Sequence, residues 1–411
     1  MAKMRSPIFL LAPVLAACNL FTGPGDGPPK QLTELPRALT ADEIRVSRAA
    51  NQFAFTLFER LNAAQPGENV FVSPLSVSFS LGMAMNGANG TTFDQMRQTL
   101  GFGAAELQEI NDGYRGLLAL EGGLDPSTTF QIANSVWYRE GFNVNQSFID
   151  QVKEVFDAEI RPTPFTEATK TEVNNWVSSA TNGKIPTILD QIRGDDVMFL
   201  INAIYFKGSW REQFDKARTV SSTFSAIDGT QNVPTMIREE GQGKIRYAWY
   251  NQTLFGELTY GNGAFVMTIA VPNGSQDINA FIAGLDTASW RTMVEGMQEV
   301  DYGVQLPKFK LEYERELKED LIALGMEIPF SELGADFSRM TPSQVFISFV
   351  KHKTFVDVNE EGTEAAAVTN TGIRETSLPP CLCVNRPFVF AIRERFSGTI
   401  LFMGKIVRIP S

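Results

Sequence analysis

Histidine is almost missing from this chain: its 411 residues include one, His352. A His-based zinc site needs at least a second imidazole, and a Ser-His-Asp hydrolase would have to use a side chain set between Phe349-Val350-Lys351 and Lys353-Thr354-Phe355. Cysteine is nearly as scarce, at positions 18, 381 and 383, too few for a disulfide framework. Nowhere is there a Gly-x-Ser-x-Gly elbow, a Gly-x4-Gly-Lys-[Ser/Thr] phosphate loop or a Cys-x-x-Cys pair. The expectation is therefore a protein that is not an enzyme and needs no cofactor or metal. Lys/Arg-rich blocks are absent and the formal charge is -11. Nucleic acid rewards the opposite balance, so it is not an expected partner.

What is present is apolar. The chain is 43% hydrophobic and holds 31 Phe, enough for a large core. No composition shift divides it after about residue 45 and no internal repeat appears, which favours one large domain over residues 42–411. Before it, Lys3 and Arg5 precede an apolar run from Ile8 to Ala17, too short to span a bilayer, with the layout of a secretory signal over residues 1–17. Removing it takes away two cations and no acid, leaving -13. Leu15-Ala16-Ala17-Cys18 resembles a bacterial lipobox, in which the Cys becomes a lipid-modified N-terminus; the other reading is a plain signal peptide with an incidental Cys. The lipobox likeness implies export and a membrane anchor on Cys18, and Asn19 after it points to the outer membrane. The Pro- and Gly-rich stretch that follows cannot bury a core, so residues 18–41 read as a tether.

The stretch around which the rest is organised runs from Val356 to Phe390. Phe355, Val356 and Val358 before it, and Phe388, Val389 and Phe390 after it, have the character of buried strands. Between them lies a long connection, with its loop at about 360–380, whose length in a compact domain signals function. Thr363, Ala365, Ala367, Thr369, Thr371 and Ile373 are uncharged, small or apolar, whereas the alternate set, Glu364, Ala366, Val368, Asn370, Gly372 and Arg374, holds every charge. Alternation by two suits a strand with one buried face, so this loop reads as a strand in waiting.

Glu360-Glu361-Gly362-Thr363-Glu364-Ala365-Ala366-Ala367-Val368-Thr369 resembles the hinge of an inhibitory serpin's reactive-centre loop, and Asn385-Arg386-Pro387-Phe388 within Leu382 to Ile392 resembles the same family's C-terminal signature. The rest of the chain agrees. Asn69-Val70-Phe71-Val72-Ser73-Pro74-Leu75-Ser76 predicts a strand running into a helix, with Val77 to Asn86 apolar nearly all round and therefore central. Helices are expected over Ser47 to Leu61, Phe148 to Phe156, Thr171 to Ala180 and Leu317 to Leu324; strands over Asn134 to Tyr138, Met198 to Phe206 (buried on both faces), Phe265 to Val271, Leu306 to Leu311, Phe388 to Ile392 and Thr399 to Val407. The resemblance implies an α+β serpin fold: a large mixed central sheet, additional sheets, surrounding helices and an exposed loop.

It also implies a mechanism. Counting from Gly362, and back from Asn385-Arg386-Pro387-Phe388, the family's scissile bond falls between Thr376 and Ser377. A serine protease attacking Thr376 would form an acyl-enzyme, after which Thr363 to about Ile373 would insert into the sheet and trap the protease; the small Thr376 side chain points to elastase-like or subtilisin-like targets. Arg374 is the competing reactive residue, for trypsin-like enzymes. The hinge comprises Glu361, Gly362, Thr363, Glu364, Ala365, Ala366, Ala367, Val368 and Thr369. Ser73, Ser76, Asn202 and His352 match the family's sheet-opening region, where imidazole, hydroxyls and amide can satisfy one another, and Trp210 closes the matching central strand. Acid that charges His352 is expected to loosen this region. Cys381 and Cys383, two apart on a strand, read as small apolar residues that do not bridge. The alternative to inhibition, for a monomer of this fold, is a carrier, chaperone or surface-binding lipoprotein.

Overall fold

The computed structural model describes residues 29–363 and 381–410. Helix α1 (Ala41–Ala64) starts ahead of the expected Ser47, at a capping box: the Thr40 hydroxyl accepts from the Glu43 amide at 3.2 Å, and Glu43 Oε2 accepts from the Thr40 amide at 2.7 Å. Ahead of it Leu32, Leu35 and Leu39 already pack on the core. Ser73 caps α2 (Pro74–Gly87), with Pro74 in the first turn, and α2 is buried almost throughout. Further helices are α3 (Gly90–Thr99), α4 (Leu107–Glu121), α5 (Gln146–Phe156), α6 (Glu167–Ala180), α7 (Ile278–Ala283), α8 (Thr287–Gly296) and α9 (Lys318–Ala323). Left-handed Asn182 and Gly183 stop α6.

Three sheets carry the strands. The first, of six, runs β12 (Phe309–Glu316), β13 (Lys351–Val358), β14 (Gly362–Thr363), β4 (Met198–Ser209), β2 (Thr129–Arg139), β3 (Glu159–Thr163). Only β2 and β3 pair in parallel there, so the sheet is mixed. The second, of seven, runs β1 (Val70–Val72), β17 (Ile400–Ile406), β16 (Phe388–Glu394), β9 (Phe265–Pro272), β8 (Thr253–Thr259), β7 (Ile245–Tyr250), β10 (Gln298–Val300). The third, of four, runs β15 (Cys381–Cys383), β11 (Gly303–Pro307), β6 (Gly229–Arg238), β5 (Val220–Ala226). This is an α+β architecture, with α2 and α5 against one face of the six-stranded sheet and α6 on the other; Trp137, Val173, Val177, Phe199, Ile201 and Ala203 form the smaller core beneath α6.

Three expectations need correction. Leu306 to Leu311 is two strands rather than one: the chain leaves β11, buried on both faces except at Gln305, at Pro307 and enters β12, in another sheet and with one face buried, at Phe309. Phe355 is half-exposed, its ring lying 5.0 Å from Lys184 Nζ and 5.3 Å from Lys310 Nζ, because the buried face of β13 is the even-numbered one, His352 to Val358. And β4 is not buried throughout: Met198, Leu200 and Asn202 are half-exposed, since they line an opening in the sheet.

Candidate functional site: an interrupted sheet and its latch

That opening arises from strand pairing. Two-residue β14 pairs antiparallel with both neighbours, Gly362 opposite Ser209, Thr363 opposite Gly208 on one side and opposite Val358 on the other. Below Thr363 no ladder joins β4 to β13 among the described residues. Strands flanking a single-strand gap stand about 9.6 Å apart, twice the ordinary spacing. Along the gap lies a cavity of about 300 Å³, walled by β4 from Met198 to Ile204, by β13 from Lys351 to Thr354 and by Ser73, Ser76 and Leu81 of the α2 region. The edges facing each other there have backbone groups that a further strand could pair.

The four sequence-matched residues Ser73, Ser76, Asn202 and His352 all stand on the walls of this cavity. Their bonding differs from the expected mutual network. His352 Nε2 accepts from the Ser73 backbone amide at 3.0 Å, and Ser73 Oγ donates to the Leu401 carbonyl at 2.7 Å while accepting from the Ser76 amide at 3.3 Å. Asn202 donates to Asn134 Oδ1 at 2.8 Å instead, and its own Oδ1 is buried with no partner among the described residues. Burial pushes His352 down to about 4, so its ring is neutral at physiological pH, as an accepting Nε2 requires.

Above the cavity the chain is latched. The Trp210 indole N–H donates to the Asn359 carbonyl at 2.8 Å and the Trp210 amide to the Glu361 carbonyl at 2.8 Å; Phe214 N–H donates to the Glu360 carbonyl at 3.0 Å. Trp210 stacks on Tyr260, 4.4 Å between ring centres, and the Tyr260 hydroxyl bonds Thr363 Oγ1 at 2.6 Å. Glu360 lies 2.9 Å from Lys308 Nζ and accepts from Thr219 Oγ1 at 2.6 Å. Burial works to raise its pKa, but the bonds from Thr219 and Lys308 hold it below the usual range. Glu361 pairs with Lys216. Gly362 is there for close approach: a Cβ on it would overlap the Gly208 carbonyl.

The structure thus gathers Glu361, Gly362, Thr363 and Trp210 into the latch and sets Ser73, Ser76, Asn202 and His352 below it. Glu364 to Thr369, Arg374, Thr376, Ser377 and Cys18 lie outside the described residues. Sequence reasoning missed Lys216, Thr219, Tyr260, Lys308 and Asn359, of which only Asn359, beside Glu360, gave a local signal. One expectation is corrected outright. Cys381 and Cys383 form a disulfide, because the strand draws their Cα atoms to 5.3 Å, within bridging range, rather than the roughly 6.6 Å of two extended steps.

A family model described as "Serpin (serine protease inhibitor)" matches residues 48–409. Human Serpin B11 is 32% identical over 387 residues, covering 88% of this chain and 98% of its own. Mouse leukocyte elastase inhibitor A is 32% identical over 377 residues, covering 88% of this chain and 99% of its own. Among solved structures, thyroxine-binding globulin in complex with thyroxine superposes with a TM-score of 0.81 at 27% identity, covering 89% of this chain and 99% of the other.

Proposed function

The chain belongs to the serpin family, whose members matched above include named protease inhibitors rather than enzymes, and from that premise we propose that it is a suicide-substrate inhibitor of serine proteases. The observation that carries this reading is β14: a strand already begun at the head of the gap, antiparallel to both neighbours, with no ladder between those neighbours below it among the described residues. Were the strand to continue in this register on insertion, Ala365 would come between Phe206 and Val356, Ala367 between Ile204 and Thr354, and Thr369 between Asn202 and His352. Buried Thr363 puts those side chains on the core face, where only small or uncharged groups fit. Thr369 would bring a hydroxyl to the unpartnered Asn202 Oδ1.

In the reaction, the protease serine oxygen attacks the Thr376 carbonyl; the Thr376–Ser377 amide breaks, the serine hydroxyl's proton passes to the Ser377 amine, and an ester links protease to Thr376. Freed at that end, residues 363 to about 373 insert, each adding ladder hydrogen bonds, and inhibition is a race between insertion and hydrolysis of the ester. Small, β-branched Thr376 suits elastase-like or subtilisin-like targets, and the likeness to an elastase inhibitor supports that choice. In this reading Cys18 carries a lipid anchor that holds an exported protein at the outer membrane.

The test is to incubate the purified protein with elastase-like, subtilisin-like and trypsin-like proteases. A denaturant-stable complex with release of a peptide beginning at Ser377 is expected; cleavage without a complex sinks the proposal, and a peptide beginning at Glu375 moves the target to the trypsin class through Arg374. For the anchor, Cys18→Ser should shift the protein from membrane to soluble fractions, and an unchanged distribution would refute it. The likeness to thyroxine-binding globulin favours a second reading, a carrier of a small apolar ligand, for which cleavage without trapping is the discriminating outcome.

A further inference from the structure

The Cys381–Cys383 disulfide closes a ring around one intervening residue, Leu382, so its loop-closure effect is at the low end for a bridge. Its position is more telling. β15 is a three-residue edge strand that pairs, among the described residues, with β11 alone, through Gly303–Cys381, Val304–Leu382 and Gln305–Cys383. Leu382 is fully buried, its methyls against Gly256, and the Val384 amide donates to the Gln305 carbonyl at 2.8 Å. Cys381 and Cys383 are half-exposed on the opposite side, within reach of an attacking thiolate. This strand is where the chain re-enters the described structure after residues 364–380, in a different sheet from β14. Any movement of the intact segment into the gap has to draw on this anchor.

We propose that Cys381 and Cys383 form a reducible dithiol site, served by a small-molecule or protein dithiol, that sets how firmly β15 is held. A thiolate of the reductant attacks one cystine sulfur, the S–S bond breaks, and the other cysteine leaves as a thiolate that takes up a proton. The second thiol of the reductant then attacks the mixed disulfide, releasing the first cysteine, so two electrons pass and the reductant ends as its own disulfide. While oxidised, the ring limits the conformations open to a detached strand and disfavours detachment. For a three-residue ring the loop-closure entropy corresponds to about tenfold in the detachment equilibrium. The consequence for inhibition, faster loss of activity in the reduced form, rests on the proposed function; the dithiol chemistry and the anchoring do not.

The experiment uses the whole chain, purified aerobically, with and without millimolar dithiothreitol in native buffer. Alkylation and mass measurement of the peptide containing both cysteines should find no label before reduction and two labels after it, with the protein still folded. Free thiols at the outset, or a disulfide that resists until unfolding, would overturn the site. Hydrogen exchange at the Val384 amide should quicken about tenfold on reduction; an unchanged rate would overturn the anchoring. If the oxidised protein traps a protease, its inhibitory half-life should shorten about tenfold in the reduced form and in a Cys381→Ser/Cys383→Ser variant, and equal half-lives would count against the gate. If neither form traps any protease, inhibition fails as a reading while exchange at Val384 still decides the anchor.

Discussion

Two buried side chains give the protein opposing responses to pH. His352 titrates at about 4 in the fold, held down by burial, and near 6.5 when unfolded, so the unfolded state binds the extra proton between those values. Stability therefore falls as pH drops from 6.5 to 4, by on the order of 3 kcal/mol from this residue. In urea titrations His352→Gln should lack that part of the slope; equal slopes in both proteins would show that the ring's protonation is not felt. Glu121, at the end of α4, is raised to about 8 by burial and then by the neighbouring Glu394 carboxylate. One of its oxygens has no hydrogen-bond partner among the described residues. Its folded pKa is above the unfolded value, so the stability that its protonated form provides is present below 4.5 and is lost as pH rises to 8. Between 4.5 and 6.5 the two slopes oppose. Glu121→Gln should raise the urea midpoint at pH 8, by on the order of 3 kcal/mol in stability, and a lower midpoint would mean that the carboxylate is stabilising after all.

For the inserting strand, the decisive quantity is what can enter the gap. Thr363 is buried and bonded to Tyr260, so a guanidinium there would sit unpaired against the stacked Trp210 and Tyr260 rings. Thr363→Arg should convert the inhibitor into a substrate, cleaved at an undiminished rate with complex yield reduced at least tenfold; retained trapping would defeat the insertion mechanism. The alternation that would suit these residues to a strand is local, so the sequence shows it. It does not show the latch. Lys308 meets Glu360 across 52 residues, and Lys216 meets Glu361 across 145. No spacing rule reaches that far. The same limit explains the cysteines: a strand drawn as ideal keeps them apart, and the pinch that joins them depends on how β15 seats on β11.

Across the whole molecule, the gap means that the six-stranded sheet is short of pairing it could make. Filling it with residues 363 to 373 would add ladder bonds on both sides and bury apolar surface now lining a cavity of about 300 Å³. Nicking the loop should therefore raise the melting temperature by tens of degrees, measured by circular dichroism before and after limited proteolysis. A melting temperature unchanged by the nick would leave the fold intact and remove the driving force for trapping.

By itself the sequence determined the secondary elements with strong periodicity, the α+β class, the family resemblance and the alternating loop, because each rests on residues close together in the chain. Only the tertiary structure decided which strands flank the gap, that Asn202 turns to Asn134 rather than to His352, that Phe355 lies half-exposed beside Lys184 and Lys310, and which distant cations hold Glu360 and Glu361. Those outcomes depend on which face each strand presents once three sheets have packed, and packing is a property of the assembled chain rather than of any stretch of it.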